Sequence, residues 1–333
     1  MTDKPATTAL RPYSESAPGA LTLAHDRWPS LIVAKGPRAE ERFLEFFTAQ
    51  IRNKNTREAY FRAVSRFFAW CQERGLALDT IRPVHVATYI EGFTASLAAP
   101  SVKQHLAAIR MLFDWLVTGQ IVTFNPASAV RGPKYVIKRG KTPVLTAEEA
   151  RQLLDSIPTD SLVGLRDRAL IATMLYSFAR VSAAVGMLVQ DYYPQGKRSW
   201  LRLHEKGGKF HEVPCHHKAE EYLDAYIEAA GLKEHPKTPV FRSTRGRTNQ
   251  LTAQGITRVD AFRVVQRRAK AAGLKGRVSN HSFRATGITV YLENGGSLET
   301  AAHIAAHESP RTTKLYDRTS DNITLEEIDR IRF

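Results

Sequence analysis

The residues of this chain best suited to chemistry lie in four short segments of its second half. They are Ser177-Phe-Ala-Arg180-Val-Ser182, Glu205-Lys206-Gly-Gly-Lys209, His281-Ser-Phe-Arg284 and Ala306-His307-Glu-Ser-Pro-Arg-Thr-Thr-Lys-Leu-Tyr316. Taken singly, each has an ordinary structural explanation. Tyr316 reads as a half-buried aromatic, Arg180 as a helix-end charge, His281 as a helix cap, and Lys206 and Lys209 as hairpin-tip lysines. Taken together they offer one phenolic hydroxyl, imidazoles that could take its proton, and several cationic N–H donors. A guanidinium presents a rigid fork of donors that fits two oxygens of a phosphate. In a site shielded from water, such donors stabilise charge that develops on those oxygens. A phenol, with an ordinary pKa of about 10, attacks at neutral pH only when a neighbouring base takes its proton. Independent accidents would not fall in this order and spacing. Residue types of this kind are compatible with a hydroxyl attacking a phosphate.

The order Arg, Lys on a β-turn, His-x-x-Arg, His, and then Tyr nine residues on resembles the active-site pattern of the tyrosine recombinase (phage integrase) family, including its Xer-like members. The resemblance runs from about residue 40 to 318. It is looser in the first half, where it rests on Thr56-Arg-Glu-Ala-Tyr60 and Asn125-Pro126. It implies that Arg180 and Arg284 hold the two non-bridging phosphate oxygens and that His281 is the base. Lys206 would protonate the departing 5′ oxygen, and His307 would donate to the phosphate. Tyr316 would form a 3′-phosphotyrosyl bond that preserves the energy of the broken linkage. Lys206 is preferred to Lys209 because it matches the first Lys of the family's Gly-Lys-Gly turn. No cofactor is expected, neither metal nor nucleotide, because rejoining is the same reaction reversed with another 5′ hydroxyl. The chain also lacks the phosphate-cradling G-x-x-x-x-G-K-[ST] motif.

Three positions depart from the family pattern. Ala183 stands where many relatives carry an acidic residue, Ala285 replaces the second His of the His-x-x-Arg-His run, and Ala305-Ala306 replaces a Leu-Gly. None removes a group assigned to proton transfer or phosphate binding. Ala183 leaves open how the Arg180 end of the site is braced. His204, His211, Cys215, His216 and His217 resemble metal ligands when gathered together. However, adjacent histidines do not readily face one ion, and no Cys pair has ligand spacing. His303 and His307 sit four apart on an expected helix, but Ile304 occupies the place of a zinc-protease Glu.

The elements that must position these residues follow from the apolar patterning. At 333 residues the chain suits two domains. Its 43% hydrophobic and 24% charged content is that of a soluble globular protein. The net charge of +15 favours a polyanionic partner, leaving DNA, RNA and acidic membranes open on charge alone. No apolar run approaches the roughly 20 residues that cross a bilayer, and the first residues lack the order of a secretory signal. Two cysteines, Cys71 and Cys215, make no disulfide framework, so a reducing compartment is expected.

Residues 1–35 read as a flexible N-terminal arm. Residues 36–132 read as a helical, SAM-like core-binding domain, with helices over 41–51, from a start at Asn55, near 83–95 and near 101–118. Residues 133–144 form a basic linker punctuated by Pro and Gly. Residues 145–318 read as the catalytic domain. It opens on a Thr146 capping box, continues in an apolar helix near 161–178 and a strand pair near 200–203 and 210–213, and is helical from 217 on. Residues 319–333 read as a tail helix, either folded back on its own domain or exchanged between subunits. The expected fold class is therefore mainly α with a small β-sheet in the catalytic domain, arranged as a two-domain DNA clamp.

The expected DNA contacts are Arg57, Arg62, Arg66, Lys103, Arg110, Arg131, Lys134, Lys138, Arg139 and Lys141. The partners implied are double-stranded DNA carrying inverted repeats and a homo-tetramer on paired sites, with or without an accessory DNA-binding protein. The expected location is the cytoplasm, at the nucleoid. Two other outcomes fit the same residues: a type IB topoisomerase that relaxes DNA alone, and an architectural DNA-binding protein with a lapsed site.

Overall fold

Amphipathic stripes at three- and four-residue steps become helices, and their apolar faces build two separate cores. The computed structural model describes residues 28–135, 140–205, 210–246 and 248–317. Contacts divide the chain into two units, Met1–Val136 and Ile137–Phe333, a division that falls inside the stretch expected to be the linker.

The first unit contains α1 (Ser30–Ala34), α2 (Pro37–Glu45) running on into a π-helical turn (Phe46–Gln50), α3 (Lys54–Gln72), α4 (Pro83–Thr94) and α5 (Ala99–Thr118). Its core is aromatic, with Phe43, Phe46, Phe47, Phe67, Phe68 and Phe113 almost wholly buried. Edge-on ring contacts lock the helices together, such as Phe43–Phe47 at 5.0 Å and Phe67–Tyr89 at 5.0 Å between centroids. Each buried ring contributes about 1.5–3 kcal/mol.

Two expectations need correction here. The cap of α3 is Asn53 rather than Asn55, its side-chain oxygen accepting from the amides of Asn55 at 3.0 Å and Thr56 at 3.2 Å. Order also begins before residue 36. Leu31 and Ile32 of α1 are buried in the same core, which a short helix with so few apolar positions does not announce in sequence. The remainder of the expected arm, residues 1–27, lies outside the described residues, as does the expected tail helix.

The second unit opens with α6 (Ala147–Asp155), α7 (Leu162–Tyr176) and α8 (Val181–Val185). An antiparallel sheet in the order β1 (Tyr192–Gln195), β2 (Arg198–His204), β3 (Phe210–Pro214) follows. Then come α9 (His217–Ala229), β4 (Arg242–Thr244), β5 (Leu251–Gly255), α10 (Arg258–Ala271), α11 (Asn280–Glu293), α12 (Leu298–Ile304) and α13 (Pro310–Lys314). Thr146 caps α6 through the reciprocal pair with Glu149. In the sheet, Leu201, Leu203 and Val213 alternate onto the buried face, with His204 opposite Phe210 where the hairpin leaves the sheet. The β4–β5 pair interrupts a region expected to be helical throughout. Strands of three and five residues are too short for a period of two to stand out.

Helix α7 is buried nearly all round, yet it carries Arg166 and Asp167 in its interior face. The Asp167 carboxylate is fully buried and accepts from Arg166 at 2.6 Å, Arg267 at 2.9 Å and Arg268 at 2.8 Å. Arg166 also donates to the Arg242 carbonyl at 2.7 Å. This one anion thus ties α7 to α10 and makes the buried cation of Arg166 tolerable, while Arg166 in turn ties α7 to β4. Removing one partner of such a network leaves uncompensated buried charge, at a cost of about 3–5 kcal/mol. Asp167→Ala is therefore expected to lower stability by about that amount in urea unfolding, with no comparable loss for the exposed pair partner variant Glu148→Ala.

Candidate active site

Four local structures bring the chemical residues together. Arg180 caps α8 with an extended backbone, φ −66° and ψ 144°, and follows Phe178, which is held at φ 53°. His281 and Arg284 lie three apart in the first turns of α11, so they share a face. A Ser279–Ser282 capping box starts that helix, the Ser279 amide donating to Ser282 Oγ at 3.0 Å. His307 lies just past α12, in a two-bond helix stop. The Ala306 amide donates to the His303 carbonyl and the His307 amide to the Ala302 carbonyl, both at 2.9 Å. His303 and His307 consequently do not share a helix, contrary to expectation, because Ala306 turns the chain at φ 48°. Tyr316 follows α13. Thr289 Oγ1 donates to its carbonyl at 2.9 Å, and the Gly140 amide donates to the Leu315 carbonyl at 2.8 Å. A Cβ on Gly140 would stand 2.7 Å from that carbonyl oxygen, so the close approach needs glycine.

The Tyr316 hydroxyl lies 3.0 Å from His281 Nε2. The His307 ring stacks nearly parallel to the Tyr316 ring, with 5.9 Å between centroids, and His307 Nδ1 sits 2.8 Å from Thr313 Oγ1. Arg284, only 1% exposed, donates from Nη1 to the Phe178 carbonyl and from Nη2 to the Ala305 carbonyl. Its charge acts on Tyr316, favouring the ionised phenol. Arg180 is more open, and its Nη1 is 2.5 Å from Glu205 Oε2.

The electrostatics follow from burial beside two cations. His281 keeps one side open to solvent, but the protein packed about it, and then the charges of Arg284 and Arg180, lower its pKa. His307 is pushed down to about 4 by burial first and then by Arg284, Arg180 and His281. Both rings are thus neutral at pH 7, which leaves His281 Nε2 free to accept the phenol proton. If the Thr313 hydroxyl donates to His307 Nδ1, the ring proton of His307 resides on Nε2. Burial raises the Tyr316 pKa, while Arg284 and Arg180 act in the opposite direction. Arg284 itself falls to about 10 through burial and repulsion by Arg180, and remains charged at neutral pH.

The structure thus gathers Arg180, His281, Arg284, His307 and Tyr316, while Lys206 and the rest of its turn lie outside the described residues. Residues that sequence reasoning missed support them: Glu205, which was given no role, and the threonines Thr289 and Thr313. A buried Thr carries no signal of its partner in sequence. Among the expected DNA contacts, Arg62, Arg66, Lys103, Arg131, Lys134 and Lys141 are exposed. Arg66 lies over the Phe93 ring at 4.4 Å. Arg57 and Arg110 differ from expectation. Arg57 donates twice to the Ile51 carbonyl, at 3.0 and 2.9 Å, and Arg110 holds the carbonyls of Ala127 at 3.2 Å and Val130 at 2.7 Å. Arg57 satisfies a loop carbonyl, and Arg110 adds to the Ala127 carbonyl, which also accepts from the Val130 amide at 3.3 Å. Lys138 and Arg139 lie outside the described residues. The histidines that gathered as apparent metal ligands have separate partners: His204 meets Asp191 at 3.0 Å, His211 the Ile304 carbonyl at 2.9 Å, and His216 stacks on Tyr176 at 4.1 Å. Among the described residues no helix is long and apolar enough to cross a membrane.

The first unit is helical, and in the second an arginine pair, two histidines and a tyrosine converge. Comparison with known proteins assigns the family. Residues 143–322 match the phage integrase family and residues 41–120 match the phage integrase N-terminal SAM-like domain. The chain belongs to the phage integrase family and is a site-specific tyrosine recombinase. It is 28% identical to tyrosine recombinase XerD of Chlorobaculum tepidum over 83% of this chain and 90% of that protein. It is 30% identical to XerD of Mycobacterium tuberculosis over 79% of this chain and 86% of that protein. Its fold is that of XerH recombinase bound to its difH substrate, with TM-score 0.65 and 18% identity over 91% of this chain and 96% of the other. A lambda integrase tetramer bound to a Holliday junction gives TM-score 0.65 and 20% identity over 86% of this chain and 79% of the other.

Two outcomes test this geometry. A left-handed alanine costs roughly 1–2 kcal/mol, so Ala306→Gly is expected to raise the unfolding free energy by about 1 kcal/mol, read by urea titration. A histidine whose pKa is depressed on folding binds protons more readily when unfolded. Its stabilisation is full above the ordinary value of 6.5 and is lost as pH falls toward about 4. The urea midpoint should drop between pH 7 and pH 5, and drop less in His307→Gln.

Proposed function

We propose that this recombinase cleaves duplex DNA through Tyr316 and rejoins it to a second partner by the reverse reaction. The observation that carries the reading is the 3.0 Å contact between the Tyr316 hydroxyl and the neutral His281 Nε2, beside two guanidiniums. His281 accepts the phenol proton as the Tyr316 oxygen bonds to phosphorus. The bond from phosphorus to the 5′ oxygen breaks, and Lys206 gives that oxygen its proton. Arg180 and Arg284 balance the charge on the non-bridging oxygens, and His307 donates to one of them. The 3′-phosphotyrosyl bond keeps the linkage energy, so a 5′ hydroxyl from another duplex reverses the steps without nucleotide or metal.

Four copies on paired inverted-repeat sites would exchange strands in sequence through a Holliday junction, as the lambda integrase tetramer on such a junction suggests by likeness of fold. Whether an accessory DNA-binding protein assists depends on the site. We assign residues 36–132 to core DNA binding and 145–318 to catalysis, with 133–144 as the basic linker between them. Arg62, Arg66, Lys103, Arg131, Lys134, Lys138, Arg139 and Lys141 would meet the phosphate backbone and release counterions, while Arg57 and Arg110 brace the backbone behind them. The tail at 319–333 would pass to a neighbouring subunit. The protein would act on nucleoid DNA in the cytoplasm.

The test uses purified protein and inverted repeats found beside its gene, in chelator and without nucleotide. The unchanged protein should form a denaturant-stable protein–DNA adduct and resolve paired sites through a junction. Tyr316→Phe should bind equally and form none. An adduct in that variant would overturn the assignment of the nucleophile, and relaxation of supercoils with no junction would indicate topoisomerase action instead.

A further inference from the structure

Glu205 closes β2 immediately before Lys206, and its side chain is 9% exposed. Its carboxylate reaches Arg180 Nη1 at 2.5 Å, the one side-chain hydrogen bond that the Arg180 guanidinium makes among the described residues. A buried carboxylate with a single, partly exposed cationic partner is an expensive arrangement for stability alone. Its cost is easier to understand if it orients a working group. Using Nη1 for Glu205 leaves the Nε and Nη2 edge of the guanidinium, which is the edge that matches two oxygens of a phosphate side by side.

The surroundings require such an anchor. Arg180 and Arg284 repel each other across the site, and Glu205 is the carboxylate whose charge acts on Arg284 against that repulsion. Helix α8 carries no acidic side chain to hold Arg180, position 183 being the fully buried methyl of Ala183. The brace comes instead from the residue after β2, 25 positions away in the chain.

We propose that Glu205 is a positioning residue for the cleavage reaction: it grips one terminal nitrogen of Arg180 and aims the other edge at the scissile phosphate. This rests on the proposed role of Arg180 at that phosphate. Glu205 touches neither the DNA nor the reacting atoms. It acts through the arginine, and both remain in place when the phosphate arrives.

The test measures single-turnover cleavage of a suicide duplex at saturating DNA, with affinity measured separately. Glu205→Ala should cleave about 10- to 100-fold more slowly, the scale of a misplaced catalytic group, with affinity unchanged within about twofold. Glu205→Gln, which keeps an acceptor oxygen and the side-chain shape, should recover part of the loss. On a methylphosphonate at the scissile position, one charged oxygen is gone and less depends on Arg180, so the Glu205→Ala defect should shrink. Unimpaired or faster cleavage by Glu205→Ala overturns the proposal, faster cleavage marking the carboxylate as a competitor of the phosphate. Equal defects on both substrates, or an equal loss of affinity, overturn it too. Absence of any adduct with the unchanged protein would instead overturn the reading of function on which it stands.

Discussion

One buried guanidinium fixes the geometry of the catalytic unit. Arg284 joins the loop that delivers Arg180, through the Phe178 carbonyl, to the end of α12 that delivers His307, through the Ala305 carbonyl. Its field also acts on Tyr316. A cation this deeply buried is tolerable only when its donors find oxygens, so the fold has little freedom to rearrange the segments that supply them. The strained backbones lie alongside these contacts, with Phe178 and Ala306 both held at positive φ. Strain of this kind persists where surrounding contacts over-determine a segment.

The same cation shapes the chemistry through its field. Burial first, and then the two arginines, depress both histidines, so the site rests with neutral imidazoles and a protonated phenol. That is the protonation pattern a base-assisted attack by tyrosine requires at its start. Burial opposes ionisation of Tyr316, while the arginines favour it. The balance would tip only as a proton acceptor and an incoming phosphate complete the arrangement. Glu205 tempers the field at the Arg180 end, where the structure places a carboxylate that the local sequence around Arg180 lacks.

The first unit obeys a simpler constraint. Its aromatic core leaves charged side chains for the outer faces of α3 and α5, and most of the basic residues there are exposed. Two are not available in the same way. Arg57 and Arg110 turn onto carbonyls at places where the chain leaves a helix or bends, because such oxygens have acceptor capacity that a long cationic side chain can fill. Charge in a sequence is therefore a poor guide to charge on a surface whenever an unpaired carbonyl is within reach.

The sequence by itself determined the helices with sustained apolar periods, such as α5 and α7, the Thr146 cap, the hairpin of β2 and β3, and the identity of the groups that could attack and hold a phosphate. These are local or compositional properties, legible because 3.6- and 2-residue periods and reactive side chains are written residue by residue. The early start of order at α1, the β4–β5 pair and the left-handed turn at Ala306 escaped it, since short elements borrow their stability from neighbours far along the chain. Only the tertiary structure decided that Tyr316 meets His281, that Arg284 bridges two distant loops, and that Glu205 holds Arg180. Each is a contact between residues separated by tens of positions or more, chosen by packing and by the demand that buried charge be paired, and no local pattern encodes that choice.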